Sequence, residues 1–185
     1  MLKKTFVSEF DKTEITYYTW EVKNPKATFH IIHGSIEHAK RYDDFAKFLN
    51  TQGFSVFAMD IRGHGETGKS QGHMGHFVDH KGHLAVFSDV HQLNNIIKNK
   101  EFGEKLVLLG HSMGSFIARA YVTQYNDVDI LIAIGTNHKP RPLIYLTKFI
   151  ARAVALRKPR AEATFLHNLS YKQFDKKFKL EGDLA

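Results

Sequence analysis

Residues 110–114 read Gly-His-Ser-Met-Gly, a G-x-S-x-G pattern set directly between the apolar run KLVLL at 105–109 and a stretch with helical character at 115–125. A serine on a tight strand-to-helix turn must take a strained backbone, and glycines on either side remove the Cβ atoms that would collide there. Such a turn lifts the Ser112 hydroxyl above the edge of a sheet, where it can act as the nucleophile of an acyl transfer. The helix that follows points its amino end at the same place, so the Met113 N–H is set to stabilise a developing oxyanion. A second donor is expected from His33-Gly34-Ser35, which follows the apolar run ATFHII at 27–32. A G-x-S-x-G nucleophile draws its other oxyanion amide from a loop after an earlier strand, and the Ser35 N–H is the candidate.

Other chemistry is narrowed by composition. The chain has no cysteine, which excludes a disulfide framework, thiolate zinc sites, iron–sulfur clusters and cysteine nucleophiles. Among its 12 histidines, His73, His76, His80 and His83 form an H-x2-H-x3-H-x2-H cluster, and imidazole suits zinc, nickel and copper. Gly75 and Gly82 interrupt a continuous helix there, however, and no acidic or thiolate ligand pattern accompanies the histidines. They are read as a polar loop leading into a helix; no metal and no cofactor is expected.

The elements that must position Ser112 are legible as alternating strands and helices. Residues 5–10 and 15–21 flank a polar turn at 11–14 and read as a β-hairpin. Residues 27–32, 54–59, 105–109 and 128–134 are short apolar runs closed by glycine or polar punctuation, as buried strands are. Residues 41–50 carry Tyr42, Phe45, Phe48 and Leu49 at helical spacing. Residues 82–98 repeat Leu84, Phe87, Val90, Leu93 and Ile97 on one helical face. Strands alternating with helices predict an α/β fold with a mostly parallel sheet and flanking helices. At 185 residues, with 43% hydrophobic and 24% charged, the chain has a globular composition.

Its net charge of +7 is not evenly spread: residues 1–138 carry 15 basic and 15 acidic side chains, whereas residues 139–185 carry 11 and 4. Two parts follow, a core at 1–138 and the start of a cap or lid at 139–185. Within the second, residues 143–156 form an apolar stripe beside Lys148 and Arg152, the pattern of an interfacial helix or of one covering an acyl pocket. This raises the alternative of a non-catalytic module docking on lipid or an acidic partner through residues 143–179, and a possible contact with a membrane surface. Nucleic acid is not expected as a partner, since aromatic residues are not interleaved with the basic ones. Residues 1–10 do not form a signal peptide and no run approaches the roughly 20 apolar residues of a membrane span, so a cytoplasmic location is expected. Nothing in the sequence reports on oligomeric state.

The segments HGSIEHAKRYDDFAKFL, FSVFAMDIRGHGETGKSQG and GHSMGSFIARAY resemble, in that order, the monoacylglycerol lipase and lysophospholipase-like branch of the α/β-hydrolases, a branch also described as a serine aminopeptidase-type domain. The similarity extends from about residue 7 to residue 178. It implies a serine hydrolase of acyl esters such as monoacylglycerols or lysophospholipids, with Ser112 as nucleophile and the Ser35 and Met113 amides as the oxyanion hole. Arg62, His64 and Gly65 match the family's R-G-H-G turn, which is usually structural. Ile36 stands where the family usually has glycine, and Ser115 where many relatives have a second glycine.

The family's order is nucleophile, then acid, then histidine base. Downstream of Ser112, Asp127 and Asp129 flank the wrong end of a strand, Asp175 and Asp183 lie in a strandless tail, and neither His138 nor His167 sits in the context of the family's base. The chain is therefore expected to be an amino-terminal part of the fold, truncated before the end of the cap and the last strands. It would have an apolar edge strand and, without acid or base, little activity.

Overall fold

The β-branched and aromatic runs become one six-stranded sheet of order β1-β2-β4-β3-β5-β6 in a computed structural model that describes residues 1–99, 103, 105–137 and 145. Strands β1 (Leu2–Val7) and β2 (Glu14–Trp20) form the antiparallel hairpin, registered from Leu2 opposite Thr19 to Val7 opposite Glu14. Strand β2 then pairs antiparallel with β4 (Ser55–Met59). From there the sheet is parallel: β4 with β3 (Thr28–Ile32), β3 with β5 (Leu106–His111), β5 with β6 (Ile130–Ile134). Every residue of β3 and β4 is buried, as expected of strands covered on both faces.

The period-two alternation divides the core into two layers. On one face Ile32, Phe57, Met59 and Leu108 pack with Val90, Leu93 and Ile97 of a helix at Gly82–Lys98 and with Ala118 and Tyr121 of a helix at Met113–Tyr121. On the other face Ile31, Val56, Ala58 and Leu109 pack with Ala46 and Leu49 of the helix Asp43–Thr51. In chain order these helices are α1 (Asp43–Thr51), α3 (Gly82–Lys98) and α4 (Met113–Tyr121). The expected helix at 41–50 thus starts later, behind a 3-10 turn at Ala39–Tyr42. A helix α2 (Gly65–Gln71) is present where the sequence pattern gave no expectation of one. Its sequence, GETGKSQ, has no apolar stripe; tertiary hydrogen bonds hold it instead, from the Glu66 N–H to Asp60 Oδ2 at 2.8 Å and from the Thr16 N–H to Thr67 Oγ1 at 2.9 Å.

Among the described residues β6 pairs with β5 alone, and its Ile130, Leu131 and Ile134 are exposed. No helix among the described residues is long and apolar enough to cross a membrane. The chain separates into two compact units, Met1–His138 and Lys139–Ala185. The expected cap at 139–185 and the interfacial segment 143–179 lie outside the described residues, Tyr145 apart.

Arg62, in the turn after β4, is a buried cation with a full set of acceptors. Its Nε reaches Asp89 Oδ2 on α3 at 2.6 Å, while Nη1 and Nη2 reach the two Asp11 oxygens of the hairpin turn at 2.7 and 2.8 Å. Ser8 Oγ accepts from Nη2 at 2.8 Å and donates to Asp89 at 2.6 Å. One guanidinium thereby joins the β1–β2 turn, the β4 loop and α3, using the planar fork that a lysine lacks. Hydrogen bonds from Arg62 hold the Asp11 carboxyl at about 2, below its ordinary 3.8, against a smaller opposing effect of burial.

The β5–α4 turn is packed on backbone. A Cβ at Gly114 would overlap the Ile32 carbonyl oxygen and lie 2.6 Å from that of His33. One at Gly110 would overlap the Gly114 carbonyl and lie 2.8 Å from the Ser115 Cα. The glycines of the G-x-S-x-G pattern are required by this approach of α4 to the end of β3.

Two outcomes are expected. Arg62→Met leaves two carboxylates without their cation and should lower the unfolding free energy by about 3–5 kcal/mol at neutral pH, measured by urea denaturation. Because the Asp11 pKa is depressed on folding, its contribution is complete above about 3.8 and is lost as the pH falls through about 2. The variant and wild-type stabilities should therefore converge over that acid range. Separately, Gly114→Ala should abolish cooperative unfolding, because no side chain can yield to make room. Ser115→Ala, which removes one hydrogen bond, should cost only about 1 kcal/mol; equal losses in the two variants would contradict the packing argument.

Candidate active site

Ser112 sits at the amino end of α4 with φ 51° and ψ −117°. A non-glycine residue held at such an angle stores roughly 1–3 kcal/mol, which persists only where the surroundings over-determine it. Here they do. The Ser112 N–H donates to the Ile134 carbonyl at the end of β6 at 2.8 Å. Its carbonyl accepts from the Ser115 N–H at 2.9 Å and from the Ser115 hydroxyl at 2.6 Å. Ser115 is fully buried and reinforces the turn.

Met113 is the first residue of α4, so its N–H lies among the amides that have no partner within the helix, at the positive end of the helix dipole.

The loop after β3 lies against this turn. Ile32 and Gly110 are register partners in the β3–β5 ladder, so Gly34 and Ser112 each stand two residues beyond a paired position. A Cβ on Gly34 would come 3.2 Å from the Ser112 Cβ. Ser35 follows immediately, and among the described residues no acceptor takes the N–H of either Ser35 or Met113.

His33 is buried beneath the loop, its Nε2 accepting from the Ile61 N–H at 3.0 Å and its Nδ1 donating to the Gly34 carbonyl at 2.7 Å. Accepting at one nitrogen fixes the proton on the other. Burial pushes its pKa down to about 4, so His33 is a neutral strut across neutral pH. Ile36 adopts φ 59° and is 61% exposed.

Glu37 was not singled out by the sequence. Its Oε1 accepts from the Gly34 N–H, from the Tyr42 hydroxyl at 2.9 Å and from His111 Nδ1 at 2.9 Å. Burial works to raise its pKa, but hydrogen bonds from His111, Gly34 and Tyr42 outweigh it and hold the carboxyl below the usual glutamate range. A sequence signal existed: a glutamate three residues after a loop amide can reach back to it, as in a capping box. A cleft of about 380 Å³ opens beside the loop between Ile36, Glu37 and His38 on one side and His64, Glu66 and Lys69 on the other; Ser112 does not line it.

The remaining sequence candidates fall elsewhere. His64 precedes α2, with its Nδ1 2.9 Å from the Arg62 carbonyl. Asp129 accepts from the Leu106 N–H at 2.7 Å, and Asp127 binds Tyr121, Asn94 and His91; both lie at the strand ends opposite Ser112. His76 pairs with Asp79 at 3.2 Å, and the histidine cluster forms no metal-binding group among the described residues. Among those residues no side chain hydrogen-bonds the Ser112 hydroxyl. His138, His167, Asp175 and Asp183 lie outside them.

Comparison with known proteins places these features in a family. Residues 23–178 match the family described as serine aminopeptidase, S33. The chain is 31% identical over 110 residues to phospholipase YtpA of Bacillus subtilis, covering 60% of this chain and 39% of that protein. It is 33% identical over 112 residues to the monoacylglycerol lipase of Mycolicibacterium smegmatis, covering 60% and 38%. Among solved structures, a thermostable carboxyl esterase from Bacillus coagulans, in complex with glycerol, superposes with a TM-score of 0.79 at 27% identity, over 91% of this chain and 55% of that one. The chain thus spans under two fifths of the length of these two sequence relatives. By the extent of the family match and by its sheet, the chain belongs to the serine aminopeptidase S33 family, in the monoacylglycerol lipase-like branch of the α/β-hydrolases.

Proposed function

We propose that the chain carries the nucleophile and oxyanion hole of a serine hydrolase acting on acyl esters, monoacylglycerols or lysophospholipids among them. Ser112 Oγ attacks the ester carbonyl carbon as its proton passes to a base, and the carbonyl oxygen becomes an oxyanion held by the Ser35 and Met113 amides. The alcohol leaves with a proton, and water then cleaves the acyl-serine to release the fatty acid. No metal or cofactor enters these steps.

The observation that carries this reading is the strained Ser112 backbone at the head of α4, with the Gly34 loop packed against it. A hydrophobic core gains nothing from such a conformation, whereas a nucleophile requires the exposure it brings. The relatives support an ester substrate, being themselves a phospholipase and a monoacylglycerol lipase. Base and acid are assigned to no described residue. A serine without its base is a weak nucleophile, and losing it costs on the order of a millionfold in turnover. Residues 1–185 by themselves are accordingly read as nearly inert in turnover.

A fluorophosphonate probe tests the nucleophile directly. Prolonged incubation with excess probe should place one phosphonyl group on Ser112, located by peptide mass spectrometry and absent from Ser112→Ala, and added imidazole should accelerate it by supplying a base. Label scattered over the surface serines, or none alongside binding to anionic liposomes, would overturn the hydrolase reading in favour of a docking module.

A further inference from the structure

The two oxyanion amides come from different loops, one after β3 and one after β5, and a hole built that way works only if the loops keep a fixed separation. A misplacement of about 1 Å at such a site costs up to 100-fold in rate. The parallel β3–β5 ladder sets the separation as far as Ile32 and Gly110, and beyond these residues the strands no longer pair.

At that point the chain places a single carboxylate. The Glu37 side chain is 6% exposed, and its Oε1 binds the Gly34 N–H on the β3 loop and the His111 imidazole, one residue before Ser112, at the end of β5. The Tyr42 hydroxyl donates to the same oxygen at 2.9 Å, and Arg41 Nε lies 3.5 Å from the other. An ionised carboxylate only accepts, so the His111 proton sits on Nδ1.

Two consequences follow from this geometry. Gly34 spends its N–H on Glu37 and so has none to offer an oxyanion, whereas the next amide, that of Ser35, has no acceptor among the described residues. The loop must also double back for Glu37 to reach Gly34, and it does so at Ile36, whose φ of 59° is a conformation a β-branched residue rarely takes. A strained exposed isoleucine and a buried glutamate with several donors are explained together: the carboxylate holds the reversal that Ile36 resists.

We propose that Glu37 is the positioning residue of the oxyanion hole, linking the Gly34–Ser35 loop to the His111–Ser112 turn; the role in catalysis rests on the nucleophile reading of Ser112.

The test combines two readouts on the intact chain. In nitrogen-15 spectra, the Gly34 amide and the His111 Nδ1 proton should resonate downfield in the wild type, and both should move upfield in Glu37→Ala. The rate of fluorophosphonate labelling at Ser112 should fall roughly 10- to 100-fold in Glu37→Ala. Glu37→Gln, which keeps an accepting oxygen, should recover part of that rate. If the alanine variant fails to fold, the glutamine variant carries the test, with its labelling rate and Gly34 resonance both lying away from wild type.

Labelling at the wild-type rate in either folded variant would overturn the positioning role, and a Gly34 resonance indifferent to residue 37 would overturn the link itself. A wild-type chain that shows the linked resonances but takes no label at Ser112, even with imidazole supplied as the base, would overturn the nucleophile reading, and the positioning role with it, while leaving the hydrogen-bonded link in place.

Discussion

The approach of one backbone to another at Gly114 is the constraint from which the rest of the site follows. The Ile32 and His33 carbonyls occupy the space where a side chain on Gly114 would stand, so α4 begins directly over the end of β3. With α4 fixed there and β5 fixed by its ladder to β3 and β6, the chain must cross from strand to helix within a single residue. Ser112 is that residue, and its left-handed φ is the geometric result. The strain is met by ordinary interactions, since the Ser112 N–H and carbonyl are both satisfied by neighbours. Among the described residues, what remains without a partner is the Ser112 hydroxyl and the amide of Met113.

Around this turn the molecule uses buried polar side chains as struts. Arg62 ties three chain segments together from the α3 side of the sheet, His33 braces the loop after β3 in its neutral form, and Glu37 spans from that loop to β5. Each would be costly if unpaired, and each has a full set of partners, which is the condition under which buried polar groups give rigidity instead of instability.

The parallel strands were legible because short, mostly apolar runs closed by glycine or polar residues leave few alternatives, and α3 because its apolar spacing persists over several turns. The tight turn at Ser112 was legible because the G-x-S-x-G glycines are visible traces of a backbone contact. Other features were not. Helix α2 carries no apolar periodicity; Asp60 and Thr67 hold it through contacts made only once β2 and β4 are paired. The late start of α1 reflects the tight turn at Ala39, whose N–H is taken by Asp60 at 2.8 Å. Glu37 looked like one surface charge among many, since its partners His111 and Tyr42 are brought to it by the fold. Ile36, noted only as a departure from a usual glycine, acquires a meaning once its φ is known.

The account stands on Ser112 facing the amides of Ser35 and Met113, and a crystal structure of the phosphonylated chain measures that arrangement most directly. The account predicts that the phosphonyl oxygen lies about 2.7–3.1 Å from both amide nitrogens. An adduct at Ser112 whose oxygen points to solvent, with either amide turned away from it or bonded elsewhere, would contradict the assignment of the oxyanion hole.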